Sequence, residues 1–342
     1  MRGKELFNLM NQGKMPPRIP FIPTIYEHAA RIINKTPSQI ARNEDLLVKA
    51  QLAGYETYQP DLVSTGVDIY NVEAEAMGVE VKYPDNEEIP SLTGNLIQEK
   101  ADLGKLKIPD PETDARMPLF LKAVERINRE IGNEVMVNGT VTGPFTLAAI
   151  LRGFENFITD ILTDPEFASK IMELTAEVSL KYSSAFLKRG VGVSVNESWI
   201  SPPLLSPDLF RKYVFEKEKE IIRKIRAQGT DNVALISGGN TTVIAPCLVK
   251  TGSSLLLADY NTDQEYFKNL CAEHGIFLRA SIESRVVEKG SKTEIQKQVS
   301  EVINTCSDYH KFILGCGVVS YDTPVERILE LKNMVEKFSS DR

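Results

Sequence analysis

The chain has 342 residues, with 40 Lys or Arg against 47 Asp or Glu, a formal net charge of −7. That balance argues against a general nucleic-acid or anionic-membrane surface, while 42% hydrophobic and 25% charged residues fit a globular chain able to bury a large core. Its four cysteines, Cys247, Cys271, Cys306 and Cys316, form no C-x-x-C pair and are too sparse for a disulfide framework, so a reducing cytoplasm is the expected setting.

Met1 to Gln12 reads as a short amphipathic helix, and no apolar run approaches the ~18 residues that a membrane span needs. Eight strand-like runs follow, mostly separated by helical patterns: Arg18–Ile25, Leu62–Asp68, Val135–Val141, Val191–Asn196, Asn232–Ser237, Ser254–Asp259, Ile276–Ile282 and Lys311–Val318. Several are apolar throughout, as Val-Ala-Leu-Ile and Leu-Leu-Leu-Ala are, which suits strands buried on both faces of a parallel sheet. Between the second and third, residues 79–116 are polar and rich in proline and acids, and are expected to make a long excursion near the mouth of the fold. Helix starts are marked at Asp164-Pro165-Glu166, Ser206-Pro207-Asp208 and Thr323-Pro324, each a capping side chain followed by proline. Eight strand–helix units in one chain predict a single (β/α)8 barrel over residues 1–342. An open doubly wound sheet is the alternative, weakened by the lack of a G-x-G-x-x-G after any strand.

In such a barrel chemistry gathers at the C-terminal strand ends. Those ends supply Tyr26, Glu27 and His28, then Asp68, then Asn138 and Thr142. They continue with Asn196 and Glu197, Ser237 and Asn240, Asp259, Ser281 and Glu283, and finally Cys316. Glu197, at an apolar strand end, is expected to be desolvated, with a raised pKa suited to proton donation. Trp199, the only tryptophan, suits a flat pocket or core packing at the rim.

Three segments carry a resemblance. Val137-Asn-Gly-Thr-Val-Thr-Gly-Pro-Phe-Thr-Leu147 is a strand broken at Gly143-Pro144 and resembles the G-x-x-x-G-P-F-T-L element of the uroporphyrinogen decarboxylase superfamily. Asn196-Glu-Ser-Trp199, running on to Ser206-Pro-Asp-Leu-Phe210, is similar to that superfamily's acidic-Ser-Trp segment. Leu235-Ile-Ser-Gly-Gly-Asn-Thr-Thr242 resembles the His-x-Cys-Gly-Asn-Thr segment of its thiol-methylating branch. The resemblance implies a (β/α)8 barrel and either of two activities, corrinoid-linked methyl transfer or decarboxylation of an acidic tetrapyrrole.

In the thiol-methylating branch the resemblance implies a zinc ion held by that His, that Cys and a later Cys. Here Ile236 and Gly238 occupy the first two places and only Cys316, in Gly315-Cys-Gly317, remains. One thiol does not make a zinc site, so either the metal is lost or Cys316 recruits other ligands such as His28, Glu197 or Asp259. In the decarboxylase branch a pair of arginines clamps the substrate. The matching stretch, Ile19-Pro-Phe-Ile-Pro-Thr-Ile-Tyr-Glu-His28, lacks them. Val72-Glu-Ala-Glu-Ala-Met-Gly78 looks like the methyltransferase version of its region.

The expected function is therefore movement of a methyl group between a small methylated compound, such as a methoxy or methylamino compound, and a corrinoid carried by a separate protein. No Asp-x-His-x-x-Gly corrinoid motif lies in this chain. A decarboxylase and a non-catalytic binding paralogue remain as alternatives. The expected catalytic residues are Glu197, Asp259 and Cys316, sharing one cavity. Tyr26, His28, Asp68, Asn138, Trp199, Ser237, Asn240 and Glu283 are expected to position the substrate.

Overall fold

All eight expected strands form in the computed structural model, which describes residues 1–340: β1 (Phe21–Thr24), β2 (Leu62–Thr65), β3 (Met136–Thr142), β4 (Gly192–Asn196), β5 (Val233–Ile236), β6 (Leu255–Ala258), β7 (Phe277–Ile282) and β8 (Phe312–Val318). Every ladder between them is parallel, and their order is β1-β8-β7-β6-β5-β4-β3-β2. This is the (β/α)8 barrel that the alternation of patterns predicts.

The ring closes without a ladder between β1 and β2, and the sequence supplies the reason. Phe21 accepts from the Asp61 N–H at 3.0 Å and donates to the Asp61 carboxylate at 2.8 Å, so it faces β2. Two residues on, Pro23 faces the same way and has no N–H to donate. Below this gap, Arg18 grips Asp61 with two hydrogen bonds of 2.7 and 2.6 Å. The seam is filled from outside by Gln51 of α2 (Glu44–Tyr58), which donates to the Gly66 carbonyl at 3.2 Å.

Side chains alternate across the barrel wall with the period of two that strands impose. At the N-terminal end the inward set is Ile22, Leu62, Ala234, Leu255, Phe277 and Ile313. The amphipathic N-terminal segment forms α1 (Gly3–Asn11) and closes this end, burying Leu6, Phe7 and Met10 against those residues. Each such side chain contributes about 1.5–3 kcal/mol. The outward set, including Val193, Val195, Leu235, Leu256, Leu278 and Leu314, packs into the larger core shared with the surrounding helices. Strands buried on both faces explain the continuous apolar runs.

Four more helices matter for the site: α3 (Asn71–Met77), α4 (Pro144–Arg152), α5 (Pro165–Leu187) and α6 (Phe215–Arg226). Asp164 caps α5, accepting from the Phe167 N–H at 3.3 Å. The excursion contains a two-stranded hairpin, Glu80–Lys82 with Ser91–Thr93. It is sewn to α4, whose Arg152 donates to the carbonyls of Ile97 and Gln98 at 3.0 and 2.8 Å. Among the described residues no helix is long and apolar enough to cross a membrane.

Candidate active site at the barrel mouth

Midway up β7 the inward alternation places a charge where neighbouring strands carry apolar or small residues. Arg279 is 7% exposed and lines a lumenal cavity of about 40 Å³ together with Ile22, Thr24, Tyr26, Ser64, Ser194 and Ile236. Its Nη2 donates to the Cys316 carbonyl at 2.6 Å and to the Thr24 hydroxyl. Among the described residues its Nε meets no acceptor. Gly315 makes room for it, because a Cβ there would sit 2.5 Å from Arg279 Nε. Burial lowers the guanidinium's pKa, the expected response of a cation taken out of water.

Above Arg279 the mouth is lined by groups from several strand ends. Tyr26 is buried, and burial raises its pKa. Glu27 follows it, half-buried, and desolvation lifts its carboxyl to about 7. Asp259 ends β6 and is held by the N–H groups of Gly239 and Tyr260, both at 2.9 Å. Tyr70 is hydrogen-bonded to Ser198. Trp199 lies half-buried beside Phe154 in an edge-on contact with centroids 5.6 Å apart. Asn240 is exposed, with its Oδ1 accepting from the Thr242 N–H at 3.2 Å. Glu283 is half-buried, and its N–H donates to Gln298 at 3.0 Å. Ser281 and Ser237 are buried with hydroxyls that meet no hydrogen-bond partner among the described residues; Ser281 shares the inward face of β7 with Arg279.

The expectation that Glu197, Asp259 and Cys316 share one cavity is not met. Asn196 takes the inward position on β4, and Glu197 turns outward to the start of α4. There its carboxylate accepts from the Phe145 N–H at 2.8 Å, the Thr146 N–H at 2.9 Å and the Thr146 hydroxyl at 2.5 Å. A carboxylate on the first turn of a helix is favourable because the N–H groups there lack partners. Gly143 permits this approach, since a Cβ there would run into the Glu197 side chain. Glu218 from α6 is fully buried alongside, and burial plus the charge of Glu197 push its pKa far up, so Glu218 is the protonated member of the pair. Cys316 lies between inward-facing Gly315 and Gly317 and belongs to the core between barrel and helices. Burial raises its thiol to about 11, the opposite of an activated thiolate.

Three expected substrate contacts are likewise committed to structure. His28 is fully buried, its Nδ1 3.1 Å from the Ser320 carbonyl and its Nε2 2.7 Å from the Tyr58 hydroxyl. The carbonyl can only accept, so Nδ1 carries the proton and Nε2 accepts from Tyr58. Burial lowers the ring to about 4, which keeps it neutral. Asp68 receives two hydrogen bonds from Arg116, at 3.0 and 2.8 Å, and Arg116 Nε reaches Glu75 at 2.5 Å. Asn138 lies low in the lumen, bonded to Ser194 at 3.2 Å and to Asn232 at 2.7 Å.

The zinc chemistry implied by the thiol-methylating branch does not fit these residues. The side chain of Ile236 and the bare Gly238 offer no donor, Cys316 points into apolar packing, and among the described residues no three His, Cys, Asp or Glu side chains converge. Arg279 escaped the sequence reading, although a single charge inside Phe277-Leu-Arg-Ala-Ser-Ile282 was the available signal. The partnership of Glu197 with Glu218 had no local signal.

With this geometry in place, known proteins supply a frame. The family described as Uroporphyrinogen decarboxylase (URO-D) matches residues 2–338. The chain is 24% identical over 291 residues to the methylcobamide:CoM methyltransferase MtbA of Methanosarcina mazei, covering 85% of this chain and 83% of that protein. It is 23% identical over 316 residues to the uroporphyrinogen decarboxylase of Geobacter sulfurreducens, covering 86% and 87%. Among solved structures, a methyltransferase from Methanosarcina mazei superposes with a TM-score of 0.87 at 20% identity, covering 99% of both chains.

Proposed function

The chain belongs to the uroporphyrinogen decarboxylase (URO-D) family, and from that premise we propose that it transfers a methyl group between a small methylated compound and a corrinoid carried by a separate protein. One observation carries the reading. Large apolar side chains stand exposed on loops that follow four different strands: Leu204 after β4, Val243 after β5, Tyr260 after β6 and Val318 at the end of β8, each about half exposed. All four belong to the C-terminal face, and an apolar rim around a polar mouth suits a docking partner. The likeness to a methylcobamide-dependent relative over 85% of the chain supports a corrinoid protein as that partner.

A bound corrinoid would supply the cobalt centre that gives or takes the methyl group. This chain's own residues position the small molecule and manage the proton. Trp199, Tyr70 and Tyr26 offer aromatic walls. Glu27, with a carboxyl lifted to about 7, holds a proton near neutrality for the oxygen or nitrogen that loses its methyl group, as general acid catalysis requires. Asp259, fixed by two backbone N–H groups, offers a carboxyl group at another part of the rim. Glu197 and Cys316 have no part in this scheme, because neither faces the lumen.

The decarboxylase reading is less well supported. The residue nearest that branch's catalytic aspartate, Asp68, is neutralised by Arg116. Mixing the protein with a reduced corrinoid protein and panels of methoxy and methylamino compounds, and following the corrinoid absorption spectrum, tests the proposal. Methylation of the corrinoid with one donor class is expected. Release of CO2 from uroporphyrinogen without corrinoid methylation would replace it with the decarboxylase reading.

A further inference from the structure

An arginine inside a barrel normally meets a carboxylate, since an uncompensated buried charge is costly. Arg279 does not: among the described residues it forms no ion pair with an Asp or Glu, and the carboxylate whose charge reaches it is Asp259 at the rim, after the weaker acids Cys316 and Tyr26. Its Nη2 donors go to Thr24 and Cys316, and among the described residues its buried Nε has no acceptor. One strand repeat above, ~6.6 Å along β7, the buried Ser281 hydroxyl is also without a partner. The cavity of about 40 Å³ beside Arg279 has room for a small polar group, because a single water needs about 10–15 Å³. Tyr26, Thr24, Ser64 and Ser194 add polar groups to a lining otherwise rich in apolar side chains such as Ile22, Leu62 and Ile236.

We infer that Arg279 and Ser281 form an anion subsite below the mouth, taking the carboxylate of a small acid whose remaining atoms project upward past Tyr26. That the acid is the methyl donor rests on the methyl-transfer reading; the subsite itself does not. Guanidinium and carboxylate make charge-assisted hydrogen bonds, stronger than neutral ones. The ligand thereby supplies the countercharge that the fold omits, and it is held with its far end towards Glu27. In this arrangement the substrate class is a methoxy or methylamino carboxylic acid, and neutral or cationic methyl donors are poor ligands.

Calorimetric titration of the intact protein with acetate, and in parallel with its neutral analogue acetamide, tests the subsite without any corrinoid. Acetate is expected to bind at least about tenfold more tightly than acetamide. Arg279→Met should abolish that preference, Arg279→Lys should retain part of it, and Ser281→Ala should weaken acetate roughly threefold. Circular dichroism establishes that each variant is folded. Should Arg279→Met fail to fold, wild-type crystals soaked in bromide provide a second test, with anomalous density expected at hydrogen-bond distance from Arg279. Equal affinity for acetate and acetamide in the wild type, a preference surviving in folded Arg279→Met, or no bromide beside Arg279 would each overturn the subsite. Acetate binding that persists while every methyl donor fails would overturn the methyl-transfer reading and leave the subsite standing.

Discussion

Burial lifts the carboxyl groups of Glu27 and Glu73 to about 7, but the two sit in different surroundings. Glu73 is fully buried and accepts from the Thr142 N–H at 2.6 Å and the Thr142 hydroxyl at 2.9 Å, whereas among the described residues no side-chain donor bonds to Glu27. A carboxyl with a raised native pKa binds its proton more tightly when folded. The stability this gives is fully present below the ordinary carboxyl range and is lost as pH rises towards 7. Glu73→Gln should therefore flatten part of the pH dependence, leaving the variant more stable relative to wild type at pH 8 than at pH 5 by roughly 1–3 kcal/mol. Urea unfolding at the two pH values measures this, and parallel slopes for the two proteins would remove Glu73 as the cause. For Glu27 the expected readout is catalytic. Methyl transfer should decline as pH rises through about 7, and Glu27→Gln should slow it by roughly 10²–10⁴-fold. A variant that keeps wild-type turnover would take Glu27 out of the mechanism.

Among the elements, α1 and α4 illustrate how much was legible and where legibility stopped. The amphipathic pattern of the first dozen residues identified α1, and Leu6, Phe7 and Met10 do close the lower end of the barrel. Leu6→Ala should cost about 2–5 kcal/mol, read as a lower thermal midpoint. The strand pattern was equally legible, because burial on both faces leaves unbroken apolar runs. The side each terminal residue faces was misread. Rank along a strand gives height in the barrel, but odd or even position decides between lumen and helix layer. By that count Asn196 enters the lumen while Glu197 anchors α4, and Gly315 faces Arg279 while Cys316 enters the packing. Pairings such as Arg116 with Asp68, 48 residues apart, depend on the closed ring and leave no trace in local sequence. Glu197→Gln should reduce stability by about 1–3 kcal/mol, through loss of one acceptor oxygen at the α4 start, while acetate affinity stays unchanged. A selective loss of ligand binding in a fully stable variant would return Glu197 to the site.

At the scale of the whole molecule, the two ends of the barrel do different work: α1 seals one, and the other presents a polar mouth within the apolar rim. If that rim receives the corrinoid protein, Leu204→Glu combined with Val243→Glu should weaken association at least about tenfold with little change in thermal midpoint. Both side chains are already exposed, so charge there disturbs the partner and not the core. Sedimentation or surface plasmon resonance with the corrinoid protein reads the effect, and unaltered association would move the docking face elsewhere.

The proline in the first strand has a mechanical consequence. Because no ladder bonds span the join between the first two staves, that line is where the wall can part at least cost, hinged on the Arg18–Asp61 clamp beneath it. The cavity beside Arg279 reaches this line and is bordered there by Gln51 and Tyr55. Backbone amides bordering the join should trade hydrogen for deuterium sooner than those between any other adjacent pair of staves.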